Sequence, residues 1–268
     1  MDLLFFDLDG TLLDSESEIS NFTQEILVKL KLNNIAYSAA TGRTMLTGTD
    51  ILKGHGFELP QVYSNGVTIW DPRNNSLSLE HLLGSSEISI IIEAAELQGI
   101  TSFVHAVSES EYFIYHAKPR HDIEKELISA RYKNTEAKIM SLDQLTDMSQ
   151  VTNVSMIGIA AAVEEVQREL NKNRNLVSYS GPAMEGSLYK WMDVHHCKAS
   201  KGAAVKKIKD TLGATNLICF GDSDNDLSMF KISDESYAPA NAKDKLKEVA
   251  NDVIGTCLLY TSPSPRDS

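Results

Sequence analysis

The stretch Leu3-Leu4-Phe5-Phe6-Asp7-Leu8-Asp9-Gly10-Thr11-Leu12 joins a short apolar run to two carboxylates, which glycine and threonine follow. An apolar run of about four residues indicates a strand buried on both faces, as in a parallel sheet. Asp7 and Asp9 then lie just past its carboxyl end, where open α/β sheets place their ligands. Two such carboxylates repel each other unless a cation or a shared proton lies between them. An acidic turn without function would easily explain one aspartate at this position, but it explains the pair Asp7 and Asp9 poorly.

The composition of the whole chain limits its possible partners. The chain has 268 residues, of which 42% are hydrophobic and 23% charged, as expected for one large or two moderate globular domains. Its net charge is −12, from 25 basic and 37 acidic residues. Nucleic acids and anionic membranes require clustered Lys and Arg, so we expect neither as a partner. A negative protein that handles an anionic substrate needs a metal or local cations.

The cysteines and the apolar runs indicate a cytoplasmic protein. Cys197, Cys219 and Cys257 are widely spaced, and they fit neither a zinc site nor a disulfide framework. We therefore expect reduced thiols. No signal peptide and no transmembrane helix are predicted, because no long uninterrupted apolar run is present.

A strand followed by a polar turn recurs along the chain. Ile35–Ala40 runs into Thr41-Gly42-Arg43, and Leu217–Phe220 ends at Gly221-Asp222-Ser223-Asp224-Asn225-Asp226. Ser200-Lys201-Gly202 opens a further helix. Since the carboxyl ends of parallel strands meet at one edge of a sheet, these turns can form one pocket.

Two local features lie between these sites. Ser15 or Ser17 is predicted to cap a helix, because Ile19, Phe22, Ile26, Leu27 and Leu30 follow at helical spacing. Asn65-Gly66 is a strong turn dipeptide that ends a third strand, after which Val67–Trp70 is predicted to pair back antiparallel.

The middle of the chain follows a different pattern. From about Leu83, alternating runs such as Ile100–Val107 and Tyr112–His116 are mixed with helices, which predicts an α+β unit. We therefore expect a core of residues 1–80 and 191–256 and an inserted unit of residues 81–190. Residues 257–268 continue none of these patterns and are interpreted as a cloning artefact or a native flexible tail.

Four motifs together resemble those of the haloacid dehalogenase-like phosphatases. Asp7-Leu8-Asp9-Gly10-Thr11 is similar to the first motif, and Thr41-Gly42 to the second. Ser200-Lys201-Gly202 is similar to the third, and Gly221–Asp226 to the fourth, in the family's order. The long insertion and Asn65-Gly66 resemble the Cof-type subfamily, which has a large type IIB cap. The resemblance implies a doubly wound, Rossmann-like parallel sheet with an inserted α+β cap domain, which closes over the pocket and selects the leaving group.

The chemistry of a phosphate ester suits these side chains. A nucleophile must approach the phosphorus in line while cations neutralise the oxygens, and Asp7 is the candidate nucleophile. Mg²⁺ is expected, because it binds few carboxylates together with substrate oxygens and water. The resemblance implies Asp7, Asp222 and the backbone carbonyl of Asp9 as metal ligands. Asp226 would bind the metal through water or support another ligand.

The remaining motif residues are candidates for proton transfer and phosphate binding. The resemblance assigns Asp9 the role of acid and base for the leaving oxygen and the attacking water. Lys201 supplies positive charge, and the Thr41 hydroxyl with the backbone amides of Gly42 and Leu8 would donate to phosphate oxygens. Asn225 could add a further donor.

Simpler interpretations of single residues also stay open. Thr41 could be a helix N-cap, and Lys201 a solvated helix residue. Arg43 could form a structural salt bridge and is assigned no role, and Asp224 is expected to cap the following helix.

The inserted unit contains weaker candidates. Tyr115, His116, Lys118, Arg120 and His121 are interpreted as a solvated loop, with recognition of the leaving group as the alternative. The same two interpretations apply to Glu185-Gly186. His195-His196 could suggest a transition metal, but hinge residues fit the sequence better because no other metal ligand has a suitable spacing.

The sequence thus predicts a Mg²⁺-dependent phosphatase acting on a small phosphomonoester, such as a sugar phosphate, through an aspartyl-phosphate. A phosphohexomutase of the same superfamily is one alternative. A non-catalytic module that binds a phosphorylated ligand is another, although it does not need the paired carboxylates.

Overall fold

The chain divides into two units in this computed structural model, which describes residues 1–108, 111–183 and 186–255. The first unit comprises Met1–Ser78 and the described residues from Ser200 onward, and the second comprises Leu79–Ala199. The expected start of the insertion at residue 81 lies close to this boundary. Its expected end at residue 190 falls within a strand, Gly186–His196, that pairs with the second unit throughout. Residues 257–268 lie outside the described residues.

The strands and helices are as follows along the chain. The strands are β1 Asp2–Phe6, β2 Ala36–Ala39, β3 Gln61–Tyr63, β4 Thr68–Asp71, β5 Ser76–Leu79, β6 Phe103–Ser108, β7 Glu111–His116, β8 Lys138–Ser141, β9 Val151–Ile159, β10 Leu176–Ala183, β11 Gly186–His196, β12 Asn216–Phe220, β13 Glu235–Pro239 and β14 Asp252–Ile254. The helices are α1 Asn21–Leu32, α2 Met45–Leu52, α3 Ser85–Leu97, α4 Asp122–Glu126, α5 Ala160–Leu170, α6 Lys201–Leu212, α7 Leu227–Phe230 and α8 Asp244–Lys247.

A five-stranded parallel sheet in the order β14-β13-β12-β1-β2 forms the first unit's centre. Leu3 and Phe5 of β1 pack in one hydrophobic cluster with α6, whereas Leu4 packs in another with α1. The opening strand is therefore buried on both faces, and the predicted doubly wound sheet is confirmed. The sequence did not indicate the edge strand β14 or the short strand β5.

Helix α1 begins later than the sequence predicts. Ser20 is its N-cap, and the Ser20 hydroxyl accepts the Thr23 amide at 3.2 Å. Ser17 cannot cap the helix, because it has a left-handed φ of 62° in a loop that the Asp14 carboxylate organises. The predicted caps at Ser15 and Ser17 are therefore wrong.

A small sheet of β3, β4 and β5 extends the first unit. Ala40 bridges in parallel to Val62 of β3, and β3 pairs antiparallel with β4 as predicted. The turn Ser64–Gly66 joins these two strands. It therefore lies beside the carboxyl end of β2.

The second unit is built on a six-stranded sheet in the order β10-β11-β9-β6-β7-β8. Helices α3 and α5 pack on one face, where Ile88, Val104 and Val163 share a cluster. Phe103 and Ile157 share a different cluster with Ile123 of α4. This mixture of antiparallel strands and helices confirms the predicted α+β unit. Within the described ranges, none of the helices combines the length and apolarity needed to cross a bilayer.

Candidate active site

A buried lysine links two carboxylates at the carboxyl end of β1. Asp7 follows β1 directly, and its amide donates to the Phe220 carbonyl of β12 at 2.9 Å. The Lys201 ammonium lies 2.5 Å from Asp7 Oδ1 and 2.6 Å from Asp226 Oδ1. Lys201 is 0% exposed, so it is not the solvated helix residue considered above.

The charges of this cluster are not balanced by Lys201 alone. Burial lowers the pKa of Lys201, but the carboxylates of Asp226 and Asp7 outweigh it and hold the ammonium protonated. Burial and then repulsion from Asp226 raise the pKa of Asp7 well above its usual range. The same two causes raise the pKa of Asp222 to about 6. The cluster therefore favours an additional cation.

Asp222 and Asp226 lie in one turn after β12. Asp226 Oδ2 accepts the amides of Asp222 and Ser223, both at 2.9 Å, so this carboxylate organises its own loop. Carboxylate oxygens of Asp7, Asp222 and Asp226 all lie within 4.8 Å of one another. Gly10 is needed beside them, because a Cβ there would lie 2.5 Å from Asp222 Oδ2. The structure thus brings the three predicted side-chain metal ligands together.

The predicted phosphate-binding groups lie around the turn after β2. Thr41 is buried, and its hydroxyl oxygen accepts the Arg43 amide at 3.0 Å, which leaves the hydroxyl proton for another acceptor. Thr44, not Thr41, is the N-cap residue of α2. A Cβ at Gly42 would lie 3.5 Å from Asn225 Nδ2. Leu8 follows Asp7 with its side chain in the core, so only its backbone can serve the site.

Asp9 is held by a residue that the sequence left without a role. Arg43 Nε lies 2.8 Å from Asp9 Oδ2, and the second guanidinium nitrogen lies 2.5 Å from Asp9 Oδ1. This two-point pair is the salt bridge considered for Arg43. Asp9 lies in the turn Leu8–Leu12, and its side chain is 55% exposed.

Three supporting residues escaped sequence reasoning. Asn241 donates to the Gly10 carbonyl at 2.8 Å, and the Ser228 hydroxyl accepts the Gly202 amide at 3.0 Å. Asn65 accepts the Asn225 side-chain amide at 2.8 Å. Only Asn65 had a local signal, its turn dipeptide, and that signal did not indicate a partner.

Two of the weaker candidates in the second unit, Arg120 and His121, contact a buried carboxylate of the same unit. The amides of Arg120 and His121 donate to the buried Glu124 carboxylate at 2.6 and 3.0 Å, so they help to begin α4. His195 is buried within β11, and burial followed by the charge of His105 lowers its pKa to about 3. Among the described residues, Asp7, Asp222 and Asp226 are the acidic, His or Cys residues grouped closely enough to hold a metal. Glu185 lies outside the described residues.

One further prediction about the turn after β12 is wrong. Ser223 is the N-cap residue of a short 3-10 helix, Asp224–Asp226, and forms a reciprocal capping pair with Asp226. Asp226 is in turn the N-cap residue of α7, so Asp224 caps neither helix. Asp224 instead forms an ion pair with Lys243 at 2.7 Å.

Comparisons with known proteins find one matching family model and several curated relatives. The family model described as haloacid dehalogenase-like hydrolase matches residues 4–257. Two curated relatives from Bacillus subtilis, YitU and YcsE, are each named 5-amino-6-(5-phospho-D-ribitylamino)uracil phosphatase. YitU is 25% identical over 95% of this chain and 92% of its own length. YcsE is 25% identical over 95% of this chain and 90% of its own length.

Solved structures share the fold. A haloacid dehalogenase-like hydrolase from B. subtilis superposes with a TM-score of 0.77 at 22% identity, covering 96% of this chain and 95% of that protein. A structure described as a subclass IIB sugar phosphatase gives a TM-score of 0.76 at 19% identity, covering 95% and 94%.

Proposed function

The chain belongs to the haloacid dehalogenase-like hydrolases, and from that premise we propose that it hydrolyses a small phosphomonoester through an aspartyl-phosphate formed on Asp7. The resemblance inferred from four motifs is confirmed by the family match. The assignment as a phosphatase is confirmed by the names of the curated relatives. The substrate, the metal and the covalent intermediate are proposals.

One observation carries the proposal: a buried carboxylate faces a buried ammonium at the carboxyl edge of a parallel sheet. The 2.5 Å contact with Lys201 fixes Asp7 and offsets part of its charge. An anionic nucleophile can approach an anionic phosphate only when such positive charge is present. Asp226 holds the same ammonium from its other side. Lys201 therefore serves both the carboxylate and an incoming phosphoryl group.

The carboxylates at this edge fit Mg²⁺. Their oxygens are the hard donors that this ion prefers, and burial followed by repulsion from Asp226 raises the pKa of both Asp7 and Asp222. Asp7, Asp222 and the Asp9 backbone carbonyl would hold the ion, and Asp226 would act through water or through Lys201. When bound, Mg²⁺ neutralises charge on the phosphate and on its carboxylate ligands.

The reaction uses the two aspartates in different ways. An Asp7 oxygen attacks phosphorus while the bond to the ester oxygen breaks and Asp9 gives that oxygen a proton. A water then attacks the phosphorus and gives its proton to Asp9. Breaking the bond from phosphorus to the Asp7 oxygen releases inorganic phosphate and restores Asp7. Thr41, Gly42 and Asn225 donate to the phosphoryl oxygens throughout.

We propose a small phosphorylated metabolite as the substrate and the cytoplasm as the site of action. The named substrate of the two B. subtilis relatives, a phosphoribitylamino-pyrimidine, is the first compound to test. Sugar phosphates follow, given the fold shared with a sugar phosphatase. We also propose that Leu79–Ala199 supplies the residues that choose between them, because the motif residues all lie in the first unit.

The test is release of inorganic phosphate from p-nitrophenyl phosphate, with and without Mg²⁺. We expect metal-dependent turnover that Asp7→Asn lowers about 10³-fold or more. Asp122→Asn is the control, because Asp122 is an exposed acid paired with Lys125 in the second unit. Undiminished turnover by Asp7→Asn would refute the covalent mechanism. Transfer of phosphate within a hexose phosphate, without release, would indicate the mutase instead.

A further inference from the structure

Three successive residues after β3 have positive φ angles. The angles are 48° at Ser64, 54° at Asn65 and 102° at Gly66. Ser64 and Asn65 are 4% and 2% exposed. Left-handed backbone at residues other than glycine is unfavourable and persists where the surrounding structure imposes it. Such strain commonly accompanies a functional constraint.

The backbone of the turn supports the turn after β2. The Ser64 amide donates to the Arg43 carbonyl at 2.8 Å, and the Asn65 amide donates to the Thr41 carbonyl at 3.0 Å. A Cβ at Gly42 would lie only 3.2 Å from Asn65 Oδ1. The backbone of the second motif, Thr41–Arg43, is therefore held by hydrogen bonds from the residues that have the positive φ angles.

The same turn contacts the third and fourth motifs. Asn65 Oδ1 accepts the side-chain amide of Asn225 at 2.8 Å, across 160 positions of sequence. A Cβ at Gly66 would lie 2.2 Å from the Ser200 carbonyl, so the turn approaches the backbone that leads into Lys201. Three motifs that are distant in sequence thus meet at one turn.

We propose that Asn65 is a positioning residue for phosphate binding, which acts by fixing the carboxamide of Asn225. A carboxamide nitrogen has two protons. The bond to Asn65 occupies one proton and orients the group, so the second is directed to a phosphoryl oxygen. This inference rests on the proposed phosphatase function, because Asn225 is assigned there to phosphate. The left-handed backbone is the conformation that places Asn65 Oδ1 between Gly42 and Asn225.

Asn65→Gly tests this role with little backbone strain, since glycine adopts positive φ freely while losing the oxygen. We expect kcat/KM for p-nitrophenyl phosphate to fall about three- to tenfold, the usual worth of one hydrogen bond. The dissociation constant of inorganic phosphate, measured by calorimetry with Mg²⁺, should rise by a similar factor. Asn34→Gly is the matched control, because Asn34 is an exposed asparagine with a φ of 56°. It should change neither quantity.

A double-mutant cycle with Asn225→Ala separates positioning from general structural support. If Asn65 acts through Asn225, Asn65→Gly should have no further effect on phosphate binding in the Asn225→Ala background. Additive losses, or unchanged phosphate binding in Asn65→Gly, would overturn the proposal. The binding readout is independent of turnover. Phosphate binding that follows the cycle in a protein without hydrolytic activity would therefore refute the proposed function and support the role of Asn65.

Discussion

Replacing Lys201 by methionine removes the cation that two buried carboxylates share. Methionine has a similar length and no charge, so the main change is electrostatic. Lys201 is 0% exposed and contacts Asp7 and Asp226 at 2.5 and 2.6 Å. Breaking a buried ion pair by removing one partner typically costs about 3–5 kcal/mol, because the other charge is left uncompensated. We expect the Lys201→Met variant to lose that much free energy of unfolding at pH 7.5 without Mg²⁺.

The loss should depend on pH in a defined direction. Asp222 has its pKa raised from 3.8 to about 6 although Lys201 lowers it, and without Lys201 it should rise further. A carboxyl whose pKa is raised by folding holds its proton more tightly in the folded than in the unfolded state. It therefore does not destabilise the fold below pH 3.8, and its destabilising effect grows as the pH rises from 3.8 to the folded-state pKa. Lys201→Met should therefore recover stability relative to the wild type between pH 7.5 and pH 5.

Urea denaturation followed by circular dichroism at pH 5 and pH 7.5 measures both effects. Lys206→Met is the control, because Lys206 forms an exposed ion pair with Asp210 on the same helix and should change stability little. If Lys201→Met has wild-type stability at pH 7.5, the carboxylates are not held charged by Lys201. A deficit of equal size at both pH values would refute the electrostatic cause and indicate lost packing.

Three further outcomes follow from the same structure. Mg²⁺ at about a hundred times its dissociation constant should stabilise the folded protein by about 2.7 kcal/mol, and Asp222→Asn should reduce this shift in a thermal melt. Gly202→Ala should lower both stability and kcat, because its Cβ would lie 2.1 Å from the Ser228 carbonyl and would displace the first turn of α6; the expected stability loss, measured in urea, is about 1–3 kcal/mol. Burial lowers the pKa of His105 to about 4, so His105→Asn should gain stability relative to the wild type, by up to about 1.4 kcal/mol per pH unit as the pH falls from 6.5 towards 4. Urea titrations of both proteins at several pH values measure this gain. A difference in free energy of unfolding that does not change with pH would show that folding does not lower the pKa of His105.

The local part of the candidate site could be predicted from the sequence. Asp7 and Asp222 each follow a short apolar strand, and the rule that parallel strands end at one edge is enough to bring them together. Ser200-Lys201-Gly202 was predicted to open a helix, and the structure begins α6 at Lys201 with Ser200 as its N-cap. These residues could be assigned because their signals lie within a few positions of each side chain.

The pairing of distant polar residues could not be predicted. Arg43 and Asp9 are 34 positions apart, and Asn241 reaches Gly10 across 231 positions. No periodicity or spacing rule relates such residues, since their contact depends on how the loops fold over the sheet. The end of the insertion was misplaced for a similar reason. The sequence of β11 is compatible with a strand in either unit. Its pairing with β9 and β10 in the structure assigns it to the second unit.

The environments of Asp7 and Asp9 explain why two carboxylates so close in sequence can do different work. The Asp7 side chain is 7% exposed and is fixed by Lys201, which suits a nucleophile that must stay in one position. The Asp9 side chain is 55% exposed and is oriented by Arg43, whose guanidinium also contacts the Ser17 hydroxyl at 3.2 Å. Exposure leaves the Asp9 carboxylate accessible to a leaving oxygen and to an incoming water, while the two-point contact limits its rotamers. Gly10, with a φ of 78°, turns the chain between these environments and leaves room for Asp222. The proposed division of labour between Asp7 and Asp9 therefore rests on the turn after β1, to which Arg43 contributes.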